Sequence, residues 1–313
     1  MKSKGWFILL VLLLAVLIGM NIYPLLKSSQ SHPNFDYIFW QMRVPTILVT
    51  VLAGIILSLT GLNYQYLFQN HLASPYTLGM ASAAAFGSSF FLVVKRAIPA
   101  LPNELQSLFS IGFALLTVFI LLRFLSKQAN SLYKVLLCGI AASLLFSSFI
   151  ILIQYILGNR DGFELMVSLL GQLSMVGYQV VIVSSVLALI LIAFTFKNFH
   201  SLRLLSVNFE YASGQTSDTR KVFLQTVLVP SLVTAYLVSE LGPISFVGLV
   251  VPHIVRLMFR PKRRQELFYN ILLGPIFLLA CDLIAKNLLP GQELPVGVAT
   301  SIVGGAFLIS ILF

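Results

Sequence analysis

Ten apolar runs divide this chain, and its charged residues fall mostly between them or at their ends. The runs lie at about 6–26, 44–66, 76–94, 105–125, 132–157, 178–196, 222–241, 244–259, 267–289 and 296–313. A helix needs roughly 20 apolar residues to cross a bilayer core, and most of these runs approach that length. Inside lipid the backbone must satisfy its own polar groups, which leaves helices or closed barrels. A barrel requires short alternating segments, and the long unbroken runs argue against it. Of 313 residues, 58% are hydrophobic and only 10% charged, too little charge to cover a soluble surface of this size. The expected fold is an all-α integral membrane protein with about ten transmembrane helices in one integral domain over 1–313. The first run follows Lys2 and Lys4 and lacks a clear small-residue cleavage site, so it reads as a first span.

The net charge of +10 could suggest nucleic acid, but the basic residues lie between apolar spans. Their placement reads as topology, with a lipid membrane as the surrounding partner and no nucleic acid. Ten spans put both termini on one side. If that side is the cytoplasm, it holds 14 of the 20 basic residues and leaves Lys27, Arg43, Lys95, Arg96, Arg160 and Lys286 outside. That bias predicts cytoplasmic termini. The run RPKRR at 260–264 then reads as an anchor against anionic lipid.

Chemistry is sparse. Cys138 and Cys281 each sit within an apolar run, as packed helix residues do. His32, His71, His200 and His253 are scattered without metal-ligand spacing. No G-x-x-x-x-G-K-[ST] phosphate loop occurs. No catalytic, cofactor or metal site is expected, and an enzyme is improbable. Small residues recur every fourth position at Gly79, Ala83 and Gly87, at Gly297, Ser301 and Gly305, and similarly at Gly54, Ser58 and Gly61. Such stripes let helix backbones approach closely. Ser143, Ser147, Ser148 and Gln154 could line a path, but interhelical hydrogen bonding is the favoured reading.

One stretch is too punctuated for an idle anchor. Residues 242–256 read GPISFVGLVVPHIVR, with Gly242, Pro243, Gly248 and Pro252 in an otherwise apolar run. Pro252 cannot donate to the carbonyl of residue 248, and a glycine there eases a bend, so these four positions are candidates for a kink or gate. The string resembles the GPIGFVGLVVPH segment of the FecCD family, permease subunits of bacterial ABC importers for iron(III)–siderophore complexes, haem or vitamin B12. Ser245 departs from it.

Further segments carry the resemblance from Arg43 to the end of the chain. Arg43-Val44-Pro45 is similar to the family's R-[LV]-P opening, with Thr46 in place of a frequent second Arg. Gln65, Gln69, Asn70, Leu72, Ala73, Pro75 and Gly79 resemble its Q-x-x-x-x-N-P-L-A-x-P-x-x-x-G turn, with His71 replacing the first Pro. LLSVNFEYASGQTSDTRK, within a loop of about 197–221, is similar to the family's coupling segment. CDLIAKNLLPGQELPVG resembles its ADLLAR…ELPVG ending, with Lys286 where Arg is usual. Asp282 precedes Lys286 by four residues, so the two can pair on one helix face.

The resemblance implies a permease without an ATPase motif of its own, in the bacterial inner (cytoplasmic) membrane. Its partners would be a second permease subunit, identical or related, two ATP-binding subunits and an extracytoplasmic substrate-binding protein. ATP would sit on the partner ATPase. Leu204, Leu205, Ser206, Phe209, Glu210, Tyr211 and Ala212 would dock on the ATPase, and Arg43 and Lys286 on the binding protein. An iron(III)–siderophore is the expected cargo, with vitamin B12 or haem the nearest rival. A secondary transporter or channel is the alternative of another class. It would be favoured by paired carboxylates buried in mid-span, whereas the acidic residues here sit near span ends or in loops.

Overall fold

The computed structural model describes residues 2–28, 35–125, 132–173, 176–206, 219–262, 264–288 and 293–312. Among these residues the secondary structure is entirely helical. After a three-residue helical turn at Phe35–Tyr37 is set aside, the helices in chain order are α1 (Lys2–Ser28), α2 (Val44–Leu67), α3 (Met80–Ala97), α4 (Leu105–Leu125), α5 (Leu132–Leu157) and α6 (Asn159–Ser168). They continue with α7 (Tyr178–Leu205), α8 (Thr219–Leu241), α9 (Val247–Ile254), α10 (Gln265–Asn287) and α11 (Val296–Leu312). A π-helical turn, Ile38–Arg43, leads into α2, and another, Val255–Phe259, follows α9.

Among the described residues, seven helices are long and apolar enough to cross a membrane: α1, the Ile38–Leu67 helix, α4, α5, α7, α8 and α10. Val247–Phe259 and Val296–Ser310 are shorter apolar helices. Large apolar side chains such as Leu144, Ile151, Ile182 and Leu189 stand outward. In a bilayer those faces need no protein partner.

Contacts divide the chain into two compact units, each assembled from segments distant in sequence. This is why composition marks no linker between them. The first unit holds 1–59, 172–196 and 245–313. Within it α1 packs on α10, and α9 and α11 also contact α10. Gly54 and Gly274 bring the backbones of α2 and α10 together, since a methyl on Gly54 would stand 2.7 Å from the Gly274 carbonyl. One turn on, Ser58 donates to the Asn270 side-chain oxygen at 3.1 Å. Trp6 meets the Phe259 ring edge-on at 5.3 Å, fixing the start of α1 beside the π-turn.

The second unit holds 60–171 and 197–244 and is built around α3. Its alanines Ala81, Ala83, Ala84 and Ala85 are buried, so neighbouring helices approach its backbone closely. Gly87 abuts the Phe109 carbonyl on α4. Ser110 of α4 is placed to donate to the carbonyls of Ala84 and Ala235, at 2.8 and 3.1 Å. Ser143 donates to the Tyr76 carbonyl at 2.8 Å, whereas Ser148 bonds back to Leu144 within its own helix. The first ties α5 to the turn before α3, so it joins helix to turn and not helix to helix.

Three expectations shift in detail. The sixth span does not stop at 196: α7 runs to Leu205, because Phe199, Leu202 and Leu205 keep a buried face while Lys197, His200 and Arg203 lower the hydropathy. Gly79 lies before α3, capping it in a left-handed conformation at φ +76°, with its Cα face against Gly139. On α11 the close-packed glycine is Gly304, which faces Phe246; a methyl on Gly305 would meet open space.

Candidate functional site

Non-helical backbone in the 242–256 stretch falls at its start. Gly242 closes α8 with φ +71°, and a Cβ there would collide with the carbonyl of Ser168. Only glycine suits both demands. Pro243 follows in the break before α9, and Phe246 takes φ +67° as the N-cap residue of α9. The chain then passes helically through Gly248 and Pro252 and widens into the π-turn. The four candidate positions therefore divide, two at the break and two inside α9. Where α9 gives way to the π-turn, Arg256 pairs with the buried Glu266 at 3.4 Å. Asn270 binds the Glu266 carbonyl at 2.7 Å and ties this pair back to Ser58. No spacing in the sequence announces the Arg256–Glu266 pair, because the two belong to different helical segments.

The described residues that flank the candidate coupling segment pack together. Leu205 is 2% exposed and lies in one apolar cluster with Tyr64, Phe68, Ala73, Val222 and Phe223, with Leu204 packed against it. Phe68 and Phe223 meet at 6.4 Å. Ser206 closes α7 by donating to the Arg203 carbonyl at 2.7 Å. The 68–79 turn is tied to the same place, since Gln69 Nε2 donates to the Leu205 carbonyl at 2.8 Å. Asn70 shapes that turn by accepting the Leu72 amide at 2.8 Å. So the residues at both ends of this candidate segment and the motif turn form one packed block. Phe209, Glu210, Tyr211 and Ala212 lie outside the described residues.

Arg43 and Lys286 come together in the first unit. They line a small cavity of about 40 Å³ with Thr46, Gln172, Asp282, Glu293 and four apolar neighbours, room for about three waters. Arg43 Nη2 contacts Glu293 Oε1 at 3.0 Å. Lys286 pairs with Asp282, the i,i+4 contact the sequence predicts. The partnership of Arg43 with Glu293 spans 250 positions and has no signal in the sequence. The Leu294 amide bonds the Ala285 carbonyl at 3.3 Å, holding the start of the α11 segment against the end of α10.

These features define a polytopic helical membrane protein with a discontinuous, glycine-broken helix and two polar clusters at helix ends. The chain matches the FecCD transport family over residues 6–313, and it belongs to that family. It is 30% identical over 319 residues to the vitamin B12 import system permease protein BtuC of Klebsiella pneumoniae, covering 99% of this chain and 94% of the relative. It is also 30% identical over 290 residues to the Fe(3+) dicitrate transport system permease protein FecD of Escherichia coli, covering 92% and 89%. Its fold superposes on a structure described as an inward-facing, metal-chelate type ABC transporter, with TM-score 0.86, 23% identity and 99% of both chains covered.

Proposed function

We propose that the chain is the membrane permease subunit of an ABC importer that carries an iron(III)–siderophore complex across the bacterial cytoplasmic membrane. The observation that carries the reading is the family match over nearly the whole chain. Ferric cargo is supported by the relative named for Fe(3+) dicitrate, while the vitamin B12 relative supports the second reading. Haem is the other cargo that the family resemblance offers. The ten helical crossings comprise the seven long helices together with α3, Val247–Phe259 and α11, and both termini face the cytoplasm.

The permease pairs with a second copy or a related chain and couples to two ATPase subunits. It receives cargo from an extracytoplasmic binding protein. The block of Leu204, Leu205 and Gln69 gives the coupling segment a stiff base, so a pull on 207–218 is passed to α7, α8 and the 68–79 turn. Differential contacts of the ATPase with two arrangements of that base would supply the energy for alternating access. A charge reversal tests the assignment. In a reconstituted importer, Glu210→Arg should leave ATP hydrolysis running while cargo uptake falls to background. Uptake equal to wild type at equal membrane insertion would remove the segment from the coupling role.

A further inference from the structure

Resting on the docking role proposed for Arg43 and Lys286, we propose that Glu293 is a built-in competitor for Arg43, displaced when an acidic docking surface arrives. Both candidate docking cations already have carboxylate partners within the chain. Lys286 is held by Asp282, which is 4% exposed and lies on the same helix, one turn earlier. Arg43 is held by Glu293, whose side chain is 47% exposed and sits in the segment between α10 and α11. The two pairs differ in what they can do. A buried carboxylate one turn away on a continuous helix keeps its lysine. A half-exposed glutamate outside any helix can swing into water at little cost, because surface ion pairs of this kind hold weakly.

The four groups sum to zero charge around one small cavity. An approaching acidic surface would meet a neutral face unless one pair opens. Arg43 is the group able to open, with its side chain 32% exposed and a planar fork that a second carboxylate can take bidentately. Thr46 sharpens the case. It stands one helical turn from the Arg43 region and lines the same cavity, but its hydroxyl is spent on the Met42 carbonyl at 2.7 Å. It brings no charge to replace the one that Glu293 masks. Exchange of carboxylates on Arg43 therefore sets both affinity and approach: docking releases Glu293, and undocking returns it.

The test is binding of the full-length substrate-binding protein of the same importer to the permease–ATPase complex in nanodiscs, with Glu293→Gln, Arg43→Gln and the double variant. Gln keeps the size of Glu293 and leaves the Leu294 amide bond in place, and matched thermal midpoints would verify folding. Glu293→Gln should tighten binding up to about five-fold and quicken association most at low salt. That gain should vanish when Arg43→Gln is also present. Arg43→Gln weakening docking while Glu293→Gln leaves affinity unchanged or lower would overturn the exchange and keep the docking role. With Lys286→Gln measured as a fourth variant in the same assay, no effect of either Arg43→Gln or Lys286→Gln would remove the docking role itself, and the exchange with it.

Discussion

Gly54→Ala should be among the most damaging one-methyl changes in the first unit. The added carbon would stand 2.6 Å from the Pro275 nitrogen and 2.7 Å from the Gly274 carbonyl carbon and oxygen. An ordinary carbon–oxygen contact is about 3.3–3.6 Å, so α2 and α10 must part by roughly 0.6–0.9 Å. Every obstructing atom is backbone, so no rotamer change can relieve the clash. Parting also stretches the Ser58–Asn270 bond one turn away, which begins at 3.1 Å. Overpacking of this kind costs about 1–3 kcal/mol. The internal control is Gly112→Ala on α4, where a methyl meets nothing within 4 Å. There the change removes a helix-interior glycine and should be neutral or stabilising by up to about 1 kcal/mol. Thermal unfolding of the two detergent-solubilised variants at one scan rate separates these outcomes. A midpoint several degrees lower for Gly54→Ala and unchanged or higher for Gly112→Ala is expected. Equal midpoints would refute the close approach of α2 and α10.

The remaining predictions concern the base of the coupling segment. Leu205→Ala empties a fully packed position and should cost about 2–5 kcal/mol, lowering the thermal midpoint and partly uncoupling hydrolysis from uptake. Gln69→Ala removes one hydrogen bond to the Leu205 carbonyl and should follow the same direction at about 0.5–1.5 kcal/mol. Uptake per ATP hydrolysed, measured in proteoliposomes, ranks wild type, Gln69→Ala and Leu205→Ala in that order if the packed block carries the motion.

Helical class and the positions of the apolar helices were legible because lipid demands long apolar runs and leaves few alternatives. Helix ends were less so. Hydropathy ended the sixth span at the first lysine, although Phe199, Leu202 and Leu205 carry α7 about two and a half turns further on their buried spacing. The small-residue stripes located close approaches at Gly54 and Gly87, where backbone meets backbone. On α11 the same spacing pointed to Gly305, because the packed face is set by the ring of Phe246, an aromatic outside that helix. The Asp282–Lys286 pair was readable from helix periodicity, and it is present. Arg43–Glu293 and Arg256–Glu266 were not readable, since ion pairs between elements depend on packing that periodicity within one element does not encode. The kink candidates illustrate a related limit. Gly242 and Pro252 are both helix breakers in principle, yet only Gly242 ends its helix, with φ +71° and the Ser168 carbonyl against it, whereas Pro252 lies inside α9.

The most direct measurement of the central claim is uptake in a strain lacking this gene, supplied with radiolabelled ferric siderophores, haem or vitamin B12 one at a time. The assay is run in a background without other importers for those cargoes. The account predicts loss of uptake for a ferric siderophore, restored by the wild-type chain and not by Glu210→Arg. Loss confined to vitamin B12 or haem would contradict the cargo and retain the importer. Unchanged uptake of all three would contradict the proposed import function for these cargoes.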